Sequence, residues 1–489
     1  MSGDPAREDQ SGNDEAEESH VVTAFLRDRG RILLLRRSDA VGTYAGQWGG
    51  VSGFAEGDPD GQVRVEIREE TGLEADDLAF VRSGRPVRFE DDDLEPSREW
   101  VVHPYLFDVD DDREIELGEE HDALEWIDPT ELVAPPSGVD SDDSSDLEPV
   151  PKLWTAYERV APTVRSIAAD DDHGAAHLSI RTLEVLRDRA GLLVAERAEF
   201  DTDPDEEWDE LAELATRLLR ARPAMAVLRN RVNRAMATAA GIDAAHDEGS
   251  EERDSEGIAG VDGSDRRDAR AVLESTREAI DRALAADADA AVTAGERIGG
   301  RVLTLSRSGT VLEALRAGNP SRLFVAESRP AREGVAVAEA LATDPTVDCP
   351  VTIHTDAAAA SVLATESIDR VVVGADTILP DGSVVNKTGT RAISIAAARE
   401  GVPVTVVAAT DKVSTREEVN LESGDRTAVY DGDAAIDVHN PTFDVTPGDC
   451  VSEFATERGA LEPADVSAVA TTLRELEDWR ADGDVTESR

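Results

Sequence analysis

Cysteine, lysine and long apolar runs are all scarce in this sequence of 489 residues. Two cysteines, Cys349 and Cys450, are too few for the disulfide framework of a small secreted domain or for a four-cysteine zinc cluster, and they fit a reducing cytoplasm. No apolar run reaches the roughly 20 residues that a membrane-spanning helix needs. We therefore expect a cytoplasmic protein that does not bind a membrane.

The scarcity of lysine belongs to a strong excess of acidic residues. Asp and Glu number 105 against 50 Lys and Arg, which gives a formal net charge of -55, and Lys152, Lys387 and Lys412 are the only lysines. Such a surface suits a halophilic cytoplasm, because concentrated salt screens the repulsion between carboxylates. It also argues against direct DNA binding, because a phosphate backbone would be repelled.

The length and the changes of composition predict two principal domains. We expect the following organisation: a disordered acidic tail at 1–19, an α+β domain at 20–166, a linker at 167–174, a helical subdomain at 175–298 with an acidic insert at 243–268, a Rossmann-like α/β domain at 299–478 and a tail at 479–489.

Hydrophobic periodicity predicts the elements of the first domain. Strands are expected at Val21 to Leu26, Ile32 to Leu35 and Trp100 to Asp108, with a helix at Gln62 to Glu70 and a closing helix at Val150 to Val160. This mixture indicates an α+β fold.

The second half begins with a helical pattern from Ala175 to Ala239 and then alternates between strands and helices. The alternation implies a doubly wound parallel sheet with helices on both faces. Its predicted strands are Val302 to Ser306, Arg322 to Glu327, Val351 to His354, Arg370 to Ala375 and Val402 to Ala408.

Three glutamates in the first domain have the spacing of one helical face. Glu66, Glu69 and Glu70 stand at i, i+3 and i+4, where their repulsion is unfavourable without a cation. Mg²⁺ or Mn²⁺ prefers such oxygen ligands and can activate water for attack on phosphorus. A solvated acidic face is the alternative in a chain this acidic.

The context of these glutamates favours the metal site. The segment from Gly53 to Leu73 reads GFAEGDPDGQVRVEIREETGL and resembles the Nudix box of pyrophosphohydrolases that act on nucleoside-diphosphate-linked substrates. Val65 stands where that family has arginine, with Arg64 one position away, and the loop is two residues shorter, so that Glu56 or Asp58 represents the loop glutamate.

The resemblance implies a hydrolase that uses Mg²⁺ or Mn²⁺. Glu66, Glu69 and Glu70 would be its catalytic metal ligands, and the Gly53 carbonyl would be a further ligand. Glu119 or Glu120 would act as the base. Its substrate would be a nucleotide or nucleotide sugar.

Polar motifs follow the predicted strands of the second half, where parallel sheets bind ligands. Two of the three lysines lie in these motifs, which indicates a bound anion such as a phosphate. The candidate phosphate or ligand-binding residues are Ser306, Arg307, Ser308, Arg329, Asn386, Lys387 and Lys412.

Together with Gly374-Ala375-Asp376 and with Arg222-Pro223 further upstream, these motifs resemble the initiation factor 2B alpha, beta and delta subunits and the related methylthioribose-phosphate and ribose-bisphosphate isomerases. In the isomerase branch, a catalytic cysteine occupies the position of Ser306 and a catalytic aspartate that of Asp376. Because a serine hydroxyl is a much weaker acid than a thiol, the substitution predicts impaired proton transfer.

Three functions follow from these resemblances. The leading hypothesis is a Nudix hydrolase fused to a regulatory domain that binds a phosphorylated small molecule. The second is a noncatalytic, initiation factor 2B-like regulatory or scaffold protein, with translation initiation components as partners. The third is a sugar-phosphate isomerase. The resemblance also implies a homo-oligomer.

Overall fold

The computed structural model describes residues 18–55, 57–92, 94, 97–109, 113–133, 147–170, 173–242 and 267–480. The chain divides into two compact units, Met1–Ala161 and Pro162–Arg489. No helix within these described ranges is long and apolar enough to cross a membrane.

The described part of the first unit contains one mixed sheet and two α-helices. The elements are β1 Glu18–Asp28, β2 Arg31–Arg37, β3 Trp48–Gly49, β4 Val51–Phe54, α1 Pro59–Thr71, β5 Leu78–Ser83, β6 Val87–Asp91, β7 Arg98–Val109, β8 His121–Ile127 and α2 Leu153–Glu158. β1 runs parallel to β7, and every other pairing in the sheet is antiparallel.

The alternation of side chains along the strands fills a core on each face of this sheet. In β1, Val22 and Leu26 face α1, where they join a cluster with Ile67, whereas Phe25 joins the cluster of Tyr157 on α2. Successive residues of a strand point to opposite faces, so both faces of β1 can be apolar only because each is covered by a helix.

The helix that carries the glutamates has well-defined ends. Pro59 stands at its first turn, where a missing N–H is tolerated, and Gly72 ends it in the left-handed conformation with φ 73°. The Gly72 N–H donates to the Arg68 carbonyl. Thr71-Gly72 is therefore the stop signal that fixes where the glutamates stand.

The second unit begins with helices, and those from Ala175 onward agree with the predicted helical pattern. The helices are α3 Val164–Ala169, α4 Ala175–Phe200, α5 Pro204–Ala221, α6 Ala226–Ala239 and α7 Ala269–Gly295. The small residues Ala290, Ala291 and Ala294 at the end of α7 pack closely against the sheet that follows, in one core cluster with Val302 and Leu323.

The remaining elements of the second unit are β9 Gly299–Leu305, α8 Gly309–Ala317, β10 Asn319–Ala326, α9 Glu333–Thr343, β11 Val351–His354, α10 Ala359–Thr365, β12 Arg370–Gly374, β13 Thr377–Ile378, β14 Val384–Lys387, α11 Thr390–Glu400, β15 Val404–Val407, β16 Phe443–Thr446, β17 Glu453–Thr456, β18 Gly459–Leu461 and α12 Val466–Glu475. The main sheet has the order β11-β10-β9-β12-β15-β17-β18 among the described residues, and it is parallel except for β18. β13, β14 and β16 form a small antiparallel sheet.

The order of the strands creates a switch point between β9 and β12. The chain moves outward from β9 through β10 to β11, and then returns to place β12 on the other side of β9. Loops beyond the carboxyl ends of these two neighbours diverge and leave a crevice, which is where open α/β sheets bind ligands. Ser306 directly follows β9, and Asp376 lies two residues after β12.

The structure differs from the expected boundaries at three places. β1 begins at Glu18, inside the predicted tail 1–19. Helix α3 crosses the predicted boundary between the first domain, 20–166, and the linker, 167–174, and it belongs to the second unit. Its residue Ile167 is buried, and the Ile167 carbonyl accepts a hydrogen bond from Arg222. Trp479, in the predicted tail 479–489, is buried.

Several predicted segments fall largely or wholly outside the described residues. Residues 1–17, Glu56 and 481–489 belong to this group, as does most of the insert 243–268. At the insert's end, Asp268 caps α7 by accepting a hydrogen bond from the Ala271 N–H at 2.9 Å.

Replacement of Trp479 tests the corrected end of the second unit. Its side chain is 4% exposed, and its indole N–H donates to the Asn233 amide oxygen at 3.1 Å. Trp479→Ala should lower the free energy of unfolding by about 3–5 kcal/mol, because it leaves a cavity and removes a hydrogen bond. Denaturant unfolding of the full chain measures this change; an unaltered midpoint and slope would show that the segment is a tail after all.

Candidate functional sites

A cleft of about 720 Å³ lies in the first unit. Glu66 and Glu69 of α1, Gly53 of β4 and Glu120 of the turn before β8 are among the residues that line it. The structure therefore brings two of the three predicted glutamates together with the predicted glycine and one of the two proposed bases.

Gly53 is required by the position of Glu66. A Cβ atom on Gly53 would lie 2.0 Å from the Glu66 carboxyl carbon, so the absence of a side chain lets this carboxylate rest against the strand. Gln62 donates to Glu66 Oε1 at 2.6 Å. Burial raises the pKa of Glu66 despite this hydrogen bond, and the charges of Glu69 and Glu120 raise it further.

Glu70 occupies a different position from its two partners. It is 5% exposed and is not among the residues that line the cleft. The Ser52 N–H donates to Glu70 Oε2 at 3.3 Å, and His121 Nε2 lies 3.9 Å from the same oxygen. Burial raises the pKa of Glu70 to about 8, and the charges of Glu66 and Glu120 act in the same direction.

These carboxylates have the donor chemistry of a site for a hard divalent cation. They are oxygen ligands whose like charges disfavour one another's ionised form, which a cation would reverse. No group of three or more His, Cys, Asp or Glu side chains in the described part of the chain is already gathered around a single point. Glu69 is exposed and lines the same cleft as Glu66.

The structure distinguishes between the two proposed bases. Glu120 lines the cleft, and its charge acts on Glu66 and Glu70. Glu119 is absent from the lining, and its backbone carbonyl accepts a hydrogen bond from Ser38. Of the two proposed bases, Glu120 therefore lines the cleft and Glu119 does not.

The arginine expected at position 65 has no direct replacement on α1. The guanidinium of Arg64 lies 5.3 Å from the centre of the Phe107 ring and does not line the cleft. Arg37, at the end of β2, does line it, and its positive charge opposes the rise of the pKa of Glu70. Sequence analysis missed Arg37, because it lies on a different element from the glutamates, and only the fold brings it to the same cleft.

The cleft also has an aromatic portion. Phe54 follows Gly53 on β4, and its ring is near-parallel to that of Trp100, with 6.2 Å between the centroids and an angle of 28°. Arg98 covers Trp100 at 5.0 Å. Phe54 is 55% exposed and lines the cleft, so its ring is accessible to a ligand there.

In the second unit, the crevice between β9 and β12 contains a hydrogen-bonded ion pair. The Ser306 hydroxyl donates to Glu333 Oε2 at 2.6 Å, and Glu333 Oε1 lies 3.1 Å from the ammonium group of Lys387. Sequence analysis missed Glu333. It is the first residue of α9 and resembles an ordinary helix start, so only its contacts identify it.

The backbone around this pair is held in unusual conformations. Ser306 and Ser328 both have φ of 61°, in the left-handed region that side chains other than glycine seldom adopt. The Ser306 N–H donates to the Ser328 hydroxyl at 2.6 Å, and Asp356 accepts from the N–H groups of Ser328 and Arg329 at 2.8 and 2.7 Å. Such strain is often found at functional sites.

Asp376 belongs to the same crevice. Burial raises the pKa of its carboxyl group, the charges of Lys412 and Lys387 oppose the shift, and the charge of Glu333 favours it. The charges of Lys387, Lys412 and Glu333 thus all act on the Asp376 carboxyl group.

Buried arginines hold the segment that carries Lys412. Burial by itself would raise the pKa of Asp411, but the guanidinium groups of Arg234 and Arg231 outweigh it, and the pKa lies below its usual range. Arg234 lies 3.0 Å and Arg231 3.4 Å from the carboxylate. Asn230 donates to the backbone carbonyl of Asp411 at 2.7 Å. The segment from Arg222 to Asn230 thus leads into α6, whose side chains hold Asp411, the residue before Lys412.

The other predicted ligand residues serve varied purposes. Ser308 caps α8 by accepting from the Val311 N–H, and Asn386 donates to the Thr390 hydroxyl at 2.9 Å. Arg307 and Arg329 are exposed, and Arg329 lies 3.6 Å from Glu327. Both arginines are thus exposed to solvent in the loops that follow β9 and β10.

Comparisons with known proteins match both units. A model of the NUDIX domain matches residues 18–146, and a model of the Initiation factor 2 subunit family matches residues 171–463. The ribose 1,5-bisphosphate isomerase of Haloterrigena turkmenica is 33% identical over 341 residues, which cover 65% of this chain and 93% of that protein. The methylthioribose-1-phosphate isomerase of Pseudomonas aeruginosa is 35% identical over 183 residues, which cover 34% of this chain and about half, 49%, of that protein.

A solved structure is also similar. The translation initiation factor eIF-2B of Pyrococcus horikoshii has 23% sequence identity and a TM-score of 0.47, with 61% of this chain and 95% of that chain covered. The two family matches, and the 93% of the Haloterrigena turkmenica isomerase that is covered, show the family of this chain. This protein belongs to the Initiation factor 2 subunit family and carries a NUDIX domain ahead of the family domain.

Proposed function

We propose that the first unit hydrolyses a nucleoside-diphosphate-linked substrate with Mg²⁺ or Mn²⁺. The observation that carries this proposal is the cleft that Glu66, Glu69 and Glu120 line together with Gly53, whose lack of a side chain leaves room for the Glu66 carboxylate. The NUDIX match supports the same reaction class. Carboxylates in such an arrangement bind a cation, and a phosphate chain can then approach them without repulsion.

The residues of the cleft would have different roles in this reaction. Glu66 and Glu69 would hold the ion with the Gly53 carbonyl, and Glu70 would support them from the buried side. The ion would polarise a phosphate oxygen and activate the attacking water. Glu120 would accept a proton from that water, and Arg37 would contribute positive charge near the phosphates.

The aromatic portion supports a substrate with a planar group. Phe54 and Trp100 offer two ring faces next to the carboxylates, and stacking on such rings is available to any nucleobase. A nucleotide whose base contacts these rings would extend its diphosphate toward Glu66, since Phe54 is the neighbour of Gly53.

We further propose that the second unit binds a phosphorylated small molecule in the crevice between β9 and β12. Lys387 and Lys412 supply positive charge there, in a chain that has one other lysine. A second candidate function is the isomerisation of a sugar phosphate. It is favoured by Asp376, which lies beside these lysines, and by the relatives whose names specify ribose 1,5-bisphosphate and methylthioribose 1-phosphate.

Glu69→Gln tests the hydrolase. This change removes one charge from the proposed ion site, and release of nucleoside monophosphate from a panel of nucleotide sugars should fall by about 100-fold or more with Mg²⁺. Glu114→Gln is the matched control, because Glu114 is exposed and does not line the cleft. Equal rates for the two variants would refute the metal role; a wild type that binds nucleotides tightly but hydrolyses none would select the noncatalytic alternative.

The two adjacent glutamates allow a test of the base. Glu120→Gln should lower kcat by about 100-fold, because the proposed proton acceptor is lost, whereas Glu119→Gln should leave kcat nearly unchanged. Steady-state rates at saturating Mg²⁺ and substrate measure both. A reversed order of the two variants would assign the role to Glu119.

Gly53→Ala tests the contact between β4 and Glu66. The new methyl group would displace the Glu66 carboxylate, so Mn²⁺ affinity should fall by about 10-fold to 100-fold. The melting temperature should change little, because only the flexible end of a side chain must move. Gly42→Ala is the control, since Gly42 lines the same cleft with open space around it. Equal Mn²⁺ affinity in both variants would contradict the proposed site.

Asp376→Asn tests the second unit. If the crevice isomerises a sugar phosphate, aldose-to-ketose conversion of ribose 1,5-bisphosphate should fall by about 100-fold, because the carboxyl group can no longer exchange a proton. Binding of the same compound should persist in a thermal-shift assay. An unchanged rate of conversion in Asp376→Asn would show that Asp376 does not take part in the reaction.

A further inference from the structure

We propose that the Glu333 carboxylate transfers the proton between carbons in a sugar 1-phosphate isomerase site, in place of the thiol that Ser306 lacks. The inference deepens the isomerase candidate stated above and depends on it. It starts from the hydrogen bond of 2.6 Å between the Ser306 hydroxyl and Glu333 Oε2.

The position of Glu333 suits direct contact with a substrate. Ser306 is 7% exposed, whereas the Glu333 side chain is 25% exposed, so the carboxylate lies nearer the open side of the crevice than the hydroxyl. A carboxylate titrates far closer to neutrality than a serine hydroxyl, and it can therefore both accept and return a proton. Ser306 then acts as a positioning residue that fixes one carboxylate oxygen.

The surroundings keep Glu333 in a single arrangement. Its second oxygen lies 3.1 Å from Lys387, and its backbone begins α9, whose N-terminal dipole favours a negative charge. Gly334, which follows, approaches the Ala326 carbonyl so closely that a Cβ there would be 1.9 Å away. The start of α9 is thus held against the end of β10, and Glu333 is held with it.

Glu333 and Asp376 can complete the reaction without another reactant. As the C1–O4 bond of the sugar ring breaks, O4 takes the bond pair and a proton from Asp376; Glu333 removes the C2 proton, and the C2–H pair forms the C1=C2 bond. The Asp376 carboxylate then takes the proton of the C2 hydroxyl, whose oxygen forms C2=O. The C1=C2 pair finally takes the proton from Glu333 at C1. The product is a ketose 1-phosphate, and both carboxyl groups return to their initial states.

Glu333→Gln in the full chain, assayed in molar KCl with ribose 1,5-bisphosphate, tests the proposal. The amide still accepts the Ser306 hydrogen bond but cannot carry the proton, so kcat should fall by about 100-fold or more while KM changes little. Glu333→Asp, which keeps the carboxylate, should retain more activity than Glu333→Gln. Glu339→Gln, an exposed position on the same helix, should match wild type.

A second measurement separates proton transfer from a structural effect. Because the Glu333 side chain is 25% exposed, the proton it holds can exchange with solvent before it is returned to C1. In D₂O, the wild type and Glu339→Gln should therefore form ketose that carries deuterium at C1 in part of the molecules. Residual product of Glu333→Gln should form without the normal pH dependence of kcat. Wild-type conversion with unchanged kcat in Glu333→Gln would overturn the role of Glu333 alone. Absence of conversion by the wild type would overturn the isomerase candidate and this inference with it, whereas sugar-phosphate binding by the second unit would still be measurable by thermal shift.

Discussion

Burial of carboxyl groups is the physical constraint on which both candidate sites depend. In the first unit, burial raises the pKa values of Glu66 and Glu70, and neighbouring carboxylates raise them further. In the second, burial raises the pKa of Asp376 against the charges of two lysines. Keeping a charge away from water costs free energy, and these sites are arranged so that a ligand of opposite charge or a bound proton would relieve that cost.

The two units meet this constraint with different chemistry. The cleft of the first unit is lined by acidic side chains and by the positive groups Arg37, Arg98 and Lys152, so it suits a cation that bridges to phosphate. The crevice of the second unit matches acidic groups with Lys387 and Lys412, so it suits an anion and the movement of a proton. Val65, which departs from the Nudix pattern, lies on the helix that carries Glu66 and Glu69, and Arg37 lines the cleft of these glutamates. Ser306, which departs from the isomerase pattern, donates a hydrogen bond to Glu333.

Sequence reasoning succeeded where the information is local. The spacing of Glu66, Glu69 and Glu70 places them on one helix, and Gly72 ends that helix. The alternation of strands and helices after Gly299 correctly predicts the parallel sheet, because each strand and helix has its own hydrophobic period. It failed at Ile167 and Trp479, which lie in polar surroundings along the chain but are buried by distant helices.

The sequence by itself determined the family, the order of the two folds and the residue types available for chemistry, because these follow from motifs and from periodicity within short segments. Only the tertiary structure decided which side chains meet. It placed Glu120 rather than Glu119 in the cleft, set the Glu66 carboxylate against Gly53, and joined Ser306 to Glu333 across 27 residues of sequence. Those contacts depend on strand order and on the packing of helix ends, which bring together residues that no spacing rule connects.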